Sequence, residues 1–211
     1  MAPKIAKDKR ITHLQVFFYV QQMIDYLRYA LVIRAIYFSM DANSWKLFIF
    51  YYYVAIAMDV IDGACARLLN QVTNYGTCLD MVCDRASVSV LYFMLASVYP
   101  RLENAFMLFF LVDYAGHYLQ VMANAMTQNI THKASGKGEN WLVSLYYGNK
   151  VFFVICACGA DNGLVYLFIN GRVDLNQILV AIASIIIVTK QLINMAQVFG
   201  SIDKIRRHDV K

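Results

Sequence analysis

The sequence predicts an all-α integral membrane protein, a bundle of about six transmembrane helices with both termini in the cytoplasm. Three observations predict it. Of 211 residues, 60% are hydrophobic and 16% charged, against roughly 45–50% apolar and about 25% charged in soluble domains. Only 2 prolines and 10 glycines interrupt the chain, which fits neither a disordered segment, nor a collagen-like repeat, nor a turn-rich β protein. Apolar runs delimited by polar clusters recur at lengths near the ~20 residues a helix needs to cross a bilayer.

The elements follow in order, within one membrane domain spanning 1–211. Residues 1 to about 13 are polar. The first apolar run is too long for a signal peptide and has no small-residue cleavage site after it, so the first span is expected to stay in the mature chain. Ala2 and the ending His208-Asp209-Val210-Lys211 match no lipidation or retrieval signal. Spans are expected near 16–39, 45–69, 76–99, 103–126, 149–170 and 175–200, followed by a basic tail over about 201–211. Eleven of the basic residues fall on one alternating set of segments: Lys4, Lys7, Lys9, Arg10, Lys133, Lys137, Lys150, Lys204, Arg206, Arg207 and Lys211. The opposite set holds only Lys46, Arg101 and Arg172. The positive-inside rule then places both termini, the 70–75 turn and the 127–149 loop in the cytoplasm. The net charge of +5 is accounted for by orientation and by attraction to anionic headgroups, so no nucleic-acid partner is expected. Cys65, Cys78, Cys83, Cys156 and Cys158 lack Cys-x-x-Cys spacing, which argues against zinc and a disulfide framework; they read as small packing residues.

Polar side chains inside the spans carry the functional information, because an ionisable group in hydrocarbon is costly unless it faces protein or a wet cavity. Gln21, Asp25 and Arg28 lie in span one. Asp113, His117, Gln120 and Asn124 lie in span four, and Lys190, Asn194, Gln197 and Ser201 in span six. Steps of three or four put each set on one helix face. These stripes predict a polar cavity open to the cytoplasm; side-chain hydrogen bonds between packed helices are the competing explanation.

Asp59 and Asp62 are three apart, and Asp80 and Asp84 four apart, on helices joined by a short turn. Each pair shares a helix face, and the turn brings the faces together. Arg67 and Arg85 are the nearby positive charges. Converging carboxylates call for divalent cations, and all-oxygen ligation suits Mg²⁺ or Mn²⁺. Four carboxylates can hold two ions, an arrangement suited to displacement at phosphorus. Gly63, Ala66 and Gly76 are small where the helices approach, Arg67 offers a planar fork to phosphate, and Thr73 offers a hydroxyl in the turn.

The run Asp59-x2-Asp62-Gly63-x2-Ala66-Arg67-x8-Gly76-x3-Asp80-x3-Asp84 resembles the signature of the CDP-alcohol phosphatidyltransferase family at all eight fixed positions over 26 residues. Its surroundings, Leu68-Leu69-Asn70-Gln71, Thr73, Leu79-Asp80-Met81 and Asp84-Arg85, are similar to the eukaryotic phosphatidylinositol synthase branch. Weaker similarities run through Tyr26, Arg28, Asp113, His117, His132-Lys133, Tyr146-Tyr147 and Lys190. The departures lie in span one, where Gln21-Gln22 stand in place of Pro-Asn and Asp25 in place of a small residue.

The resemblance implies transfer of a phosphatidyl group from CDP-diacylglycerol to myo-inositol with release of CMP. It implies Asp59, Asp62, Asp80 and Asp84 as metal ligands for two Mg²⁺ or Mn²⁺ ions, and Asp84 also as general base. Gly63, Ala66, Arg67, Thr73 and Gly76 would meet CDP-diacylglycerol. His117, Gln120, Asn124, Lys190 and Asn194 could meet inositol. A homodimer in the endoplasmic reticulum or Golgi membrane, with its active site facing the cytoplasm, is the expected setting. Alternatives are another acceptor, such as glycerol 3-phosphate, serine or inositol phosphate, or transport of a divalent cation through the same carboxylates. Few basic residues lie in the spans outside the motif (Arg28, Arg34, Lys190 and Lys150), which favours an uncharged acceptor.

Overall fold

The structure is a computed structural model that describes residues 13–39, 41, 43–126 and 141–210. Lys4, Lys7, Lys9, Arg10, His132, Lys133, Lys137 and Lys211, which carry much of the expected orientation, lie outside the described residues. Among the described residues eight α-helices follow one another: α1 His13–Phe17, α2 Val20–Ser39, α3 Trp45–Leu68, α4 Asn74–Val98, α5 Glu103–Met126, α6 Trp141–Gly148, α7 Lys150–Asn170 and α8 Gln177–Asp209. One 3₁₀ turn, Pro100–Leu102, precedes α5. The chain forms two compact units, one ending at Val90 and the other beginning at Leu91.

Helix ends follow local chemistry. The α3 C-terminus closes with Asn70 at φ 53°, while Gln71 N–H donates to the Ala66 carbonyl (2.9 Å) and Asn70 N–H to that of Arg67 (3.4 Å). This is the Schellman arrangement, with Asn supplying the left-handed residue that glycine more often fills. Thr73 then caps α4, its hydroxyl accepting the Gly76 N–H at 3.0 Å. Asn149 and Asn176 cap α7 and α8, accepting from Val151 and Phe152 N–H and from Ile178 N–H respectively. In the α2–α3 turn Asp41 accepts from the Ser44 hydroxyl (2.6 Å) and the Asn43 amide (3.0 Å), and both bonds lower the pKa of its carboxyl.

Among the described residues, five helices are long and apolar enough to cross a membrane: α3, α4, α5 (with its leading 3₁₀ turn), α7 and α8. The expected first span, α2, is not among the five. At 20 residues it is ~30 Å long and reaches across the hydrocarbon, but Asp25, Arg28 and Arg34 lower its hydropathy. α8 runs nine residues beyond the expected end at Gly200, through the basic tail to Asp209. Arg206, Arg207 and His208 in its last turn suit the negative end of the helix dipole.

The polarity is inverted relative to a soluble bundle. Gln22, Asp25, Arg28, Asn194 and Gln197 are buried, while Ile33, Leu108, Leu111, Ile178 and Ile185 are exposed. Apolar side chains outward and polar ones inward is the pattern that lipid imposes, and the chain is an integral membrane protein. In the first unit α2 packs along α3 around Val32, Ala35, Phe48, Tyr52 and Ala55. In the second, α8 is the centre, with α5 and α7 packed against it. A Cβ at Gly116 would stand 3.1 Å from the Asn194 backbone oxygen, so glycine there eases the close α5–α8 approach.

Candidate active site

The four expected acids converge in the first unit, and the group they surround is Arg28 of α2. Its Nη1 donates to Asp62 Oδ2 (2.6 Å), Asp80 Oδ1 (2.8 Å) and Asp25 Oδ1 (3.1 Å). Its Nη2 meets Asp59 Oδ1 at 2.6 Å and Asp84 Oδ1 at 2.8 Å. The i, i+3 spacing within α3 and the i, i+4 spacing within α4 aim both acid pairs at the guanidinium, and the capped turn at 69–73 sets the helices at that approach. The countercharge at the centre of the acids is Arg28, and it comes from a helix distant in sequence. Arg67 is exposed.

The acids differ in access. Asp62 is buried, with a side chain 2% exposed, whereas Asp59, Asp80 and Asp84 keep 41%, 33% and 40% of theirs open. Three carboxylates therefore face incoming solute while the fourth anchors the centre.

The donor set fits a hard divalent cation. Two groups of carboxylates each have their oxygens within 4.8 Å of one another: Asp59 with Asp80 and Asp84, and Asp25 with Asp62 and Asp80. Asp80 belongs to both, as expected for two neighbouring ions sharing a ligand. Arg28 Nη1 has two hydrogens for three carboxylates, so the guanidinium cannot satisfy the cluster. Five carboxylates against one guanidinium leave four negative charges, which two divalent ions match.

The smaller motif residues divide into packing and open positions. A Cβ at Gly76 would stand 2.8 Å from Gln21 Oε1 and 2.9 Å from Gln22 Nε2, so Gly76 lets α2, and not only α3, approach α4. Ala66 is buried at 3% exposure. Thr73, besides capping α4, accepts from Gln22 Nε2 at 2.9 Å. Gln71 Oε1 accepts the Val20 N–H at 3.2 Å. Gln21 and Gln22, where the chain departs from the family pattern, thus pack at the turn. At Gly63 an added Cβ would be 3.3 Å from Arg67 Nη1, so the missing side chain gives the Arg67 fork room over the helix surface.

The residues expected to meet inositol all lie in the second unit and are tied into bonds within α5, within α8 and between the two. Lys190 Nζ donates to Asn194 Oδ1 (2.6 Å), and Asn194 Nδ2 to Asp113 Oδ1 (2.8 Å). Ser201 donates to Gln120 Oε1 (2.9 Å) and Lys204 Nζ to Asn124 Oδ1 (2.8 Å). Lys190 also sits 4.9 Å from the Tyr146 ring centre, and Gln197 Nε2 donates to the Tyr147 hydroxyl at 2.8 Å. His117 Nδ1 lies 2.8 Å from the Asp113 backbone oxygen.

Asp25 and Arg28 were legible as a polar stripe, but the acid cluster in the sequence contained neither. Their signal was the shared helix face, with an ionisable pair of opposite sign at i, i+3.

Paired Asp residues on two membrane helices around a charged centre fit the CDP-alcohol phosphatidyltransferase signature, and the chain belongs to the CDP-alcohol phosphatidyltransferase family, whose model matches residues 18–202. The match runs through both units. Among curated proteins, the probable CDP-diacylglycerol–inositol 3-phosphatidyltransferase 2 of Arabidopsis thaliana is 33% identical over 157 residues, covering 74% of this chain and 68% of that protein. The CDP-diacylglycerol–inositol 3-phosphatidyltransferase of Schizosaccharomyces pombe is 36% identical, covering 67% of this chain and 60% of that protein. Its Saccharomyces cerevisiae counterpart is 34% identical, covering 71% and 67%. The chain thus aligns with about two thirds of the length of these relatives. No solved structure matches it.

Proposed function

We propose that the protein transfers the phosphatidyl group of CDP-diacylglycerol to myo-inositol, giving phosphatidylinositol and CMP, in a reaction that needs Mg²⁺ or Mn²⁺. The observation that carries this reading is the convergence of Asp59, Asp62, Asp80 and Asp84 on one point. The names of the relatives supply the acceptor. The catalytic domain is taken as the whole of 1–211.

The ions, when bound, would neutralise the diphosphate and stabilise charge on the departing CMP. Asp59, Asp62, Asp80 and Asp84 would hold them, and Arg28 ties the same carboxylates together. Asp84, open to solute, takes the proton of the attacking hydroxyl. A bond then forms between the alcohol oxygen and the phosphorus of the phosphatidyl group, and the bond from that phosphorus to CMP breaks, the leaving oxygen keeping the electron pair. Arg67, beside Gly63, binds phosphate with its planar fork. Ala66, Thr73 and Gly76 shape the same nucleotide site through the helix packing they permit. The hydroxyls of inositol are assigned to His117, Gln120, Asn124, Lys190 and Asn194.

A homodimer, an endoplasmic reticulum or Golgi membrane, and a site facing the cytoplasm complete the proposal and rest on the family resemblance and the distribution of basic residues. The test is CMP release from CDP-diacylglycerol by protein purified in detergent. Release is expected with myo-inositol and Mn²⁺ or Mg²⁺, and its loss with chelator. Release with serine, glycerol 3-phosphate or inositol phosphate in place of inositol would overturn the acceptor, and no release with any of them would overturn the reaction.

A further inference from the structure

We propose that Asp25 is a fifth carboxylate ligand of the metal centre, completing a second divalent-cation position with Asp62 and Asp80. The inference rests on the metal-dependent reading above and extends its ligand set to a helix outside the acid motif.

Asp25 is wholly buried. One oxygen of each of Asp25, Asp62 and Asp80 lies within 4.8 Å of the others. Asp25 Oδ1 receives Arg28 Nη1 at 3.1 Å, the longest of the five contacts that guanidinium makes with carboxylates. Asp25 Oδ2 is buried and, among the described residues, has no hydrogen-bond partner. A carboxylate oxygen sealed from water without a donor is strongly disfavoured unless a cation faces it.

A role as counter-ion to Arg28 does not account for the residue. Arg28 is already met by Asp59, Asp62, Asp80 and Asp84, the nearest at 2.6 Å. A fifth acid adds repulsion to a centre already rich in carboxylates, and a cation bound there makes its burial favourable where the guanidinium alone does not. With Asp25 counted, the net charge of the cluster matches two divalent ions without a substrate phosphate. With the other four acids alone it falls one charge short. Asp25 therefore loads the second ion before the nucleotide arrives, where a Mg²⁺ held by one or two carboxylates would ordinarily wait for substrate phosphates.

The test is Mn²⁺ binding to the purified full chain in detergent without CDP-diacylglycerol, followed by the electron paramagnetic resonance of free Mn²⁺. Wild-type protein is expected to bind two ions. In Asp25→Asn the second should bind at least roughly tenfold more weakly, on the scale of losing one group from a metal's ligand shells. Equal affinity and stoichiometry in the two proteins, or no binding to the wild type, overturns the proposal. Should the variant fail to fold, anomalous scattering from wild-type crystals grown with Mn²⁺ decides: a peak within coordination distance of Asp25 supports it, and peaks confined to the other four acids overturn it. CMP release by the wild type separates this result from the reaction, since turnover with unchanged Mn²⁺ binding in Asp25→Asn removes only the fifth ligand.

Discussion

In the first unit one guanidinium faces five carboxylates; in the second, Asp113, Asn194 and Lys190 form a chain in which a neutral amide joins one negative to one positive group. Both clusters come from the same device, polar residues spaced three or four apart on helices otherwise made for lipid. They end in opposite electrical states. The second closes on itself, Lys190 bonding Asn194 within α8 and Asn194 bonding Asp113 across to α5, near Gly116 where the helices approach. The first holds more carboxylates than its guanidinium can pair, and the proposed metal centre rests on that imbalance. Burial of polar groups in a membrane bundle does not by itself mark a reacting centre; an imbalance of charge does.

Four substitutions sharpen or break that contrast. The largest effect is expected for Asp84→Asn, which should lower CMP release roughly 10²–10⁴-fold, the scale of a lost general base. Full turnover in that variant would move catalysis away from the first unit. Next, Arg28→Met removes the only guanidinium of the cluster and should destabilise the fold by about 3–5 kcal/mol, as a buried charge network does when one partner is lost. Thermal unfolding in detergent measures it, and added Mn²⁺ should recover part of the loss. A variant as stable as wild type would mean that Arg28 is not what holds the acids.

Gly76→Ala is expected to cost about 1–3 kcal/mol, because the new methyl would overlap the Gln21 and Gln22 amides where α2 meets α4. The same melting assay checks it. The smallest effect belongs to the second unit. Asn194→Leu should cost about 0.6–1.7 kcal/mol, the range for a hydrogen bond between membrane helices. Its second readout is the KM for inositol: a rise of several-fold with kcat preserved would add substrate contact to the bonding role, whereas an unchanged KM would leave the ladder as structure alone.

Sequence by itself determined the class, the helices and the motif. Lipid forces apolar runs of fixed length, so α3, α5 and α7 begin and end within two residues of the expected limits, and helical periodicity forces Asp59 with Asp62, and Asp80 with Asp84, onto shared faces. The eight fixed positions carried the family because such spacing over 26 residues is specific. Less legible were the ends. Gly200 does not stop α8, since Ser201 and Lys204 beyond it bond Gln120 and Asn124 of α5 and the basic last turn favours continuation. Asn149 divides the α6–α7 region because its side chain caps the helix that follows.

Only the tertiary structure decided what stands among the acids. Arg28 is 31 residues before Asp59 and 56 before Asp84, and no local rule relates them. Their meeting depends on how α2 lies against α3 and α4, through Gly76 and the two glutamines. The same packing sealed Asp25 beside Asp62 and Asp80. It also gave the polar stripes of α5 and α8 partners in each other, where the stripes alone had pointed equally to a cavity. Helical spacing determines which side chains share a face; which faces meet, and with what balance of charge, is settled by contacts far apart in the chain.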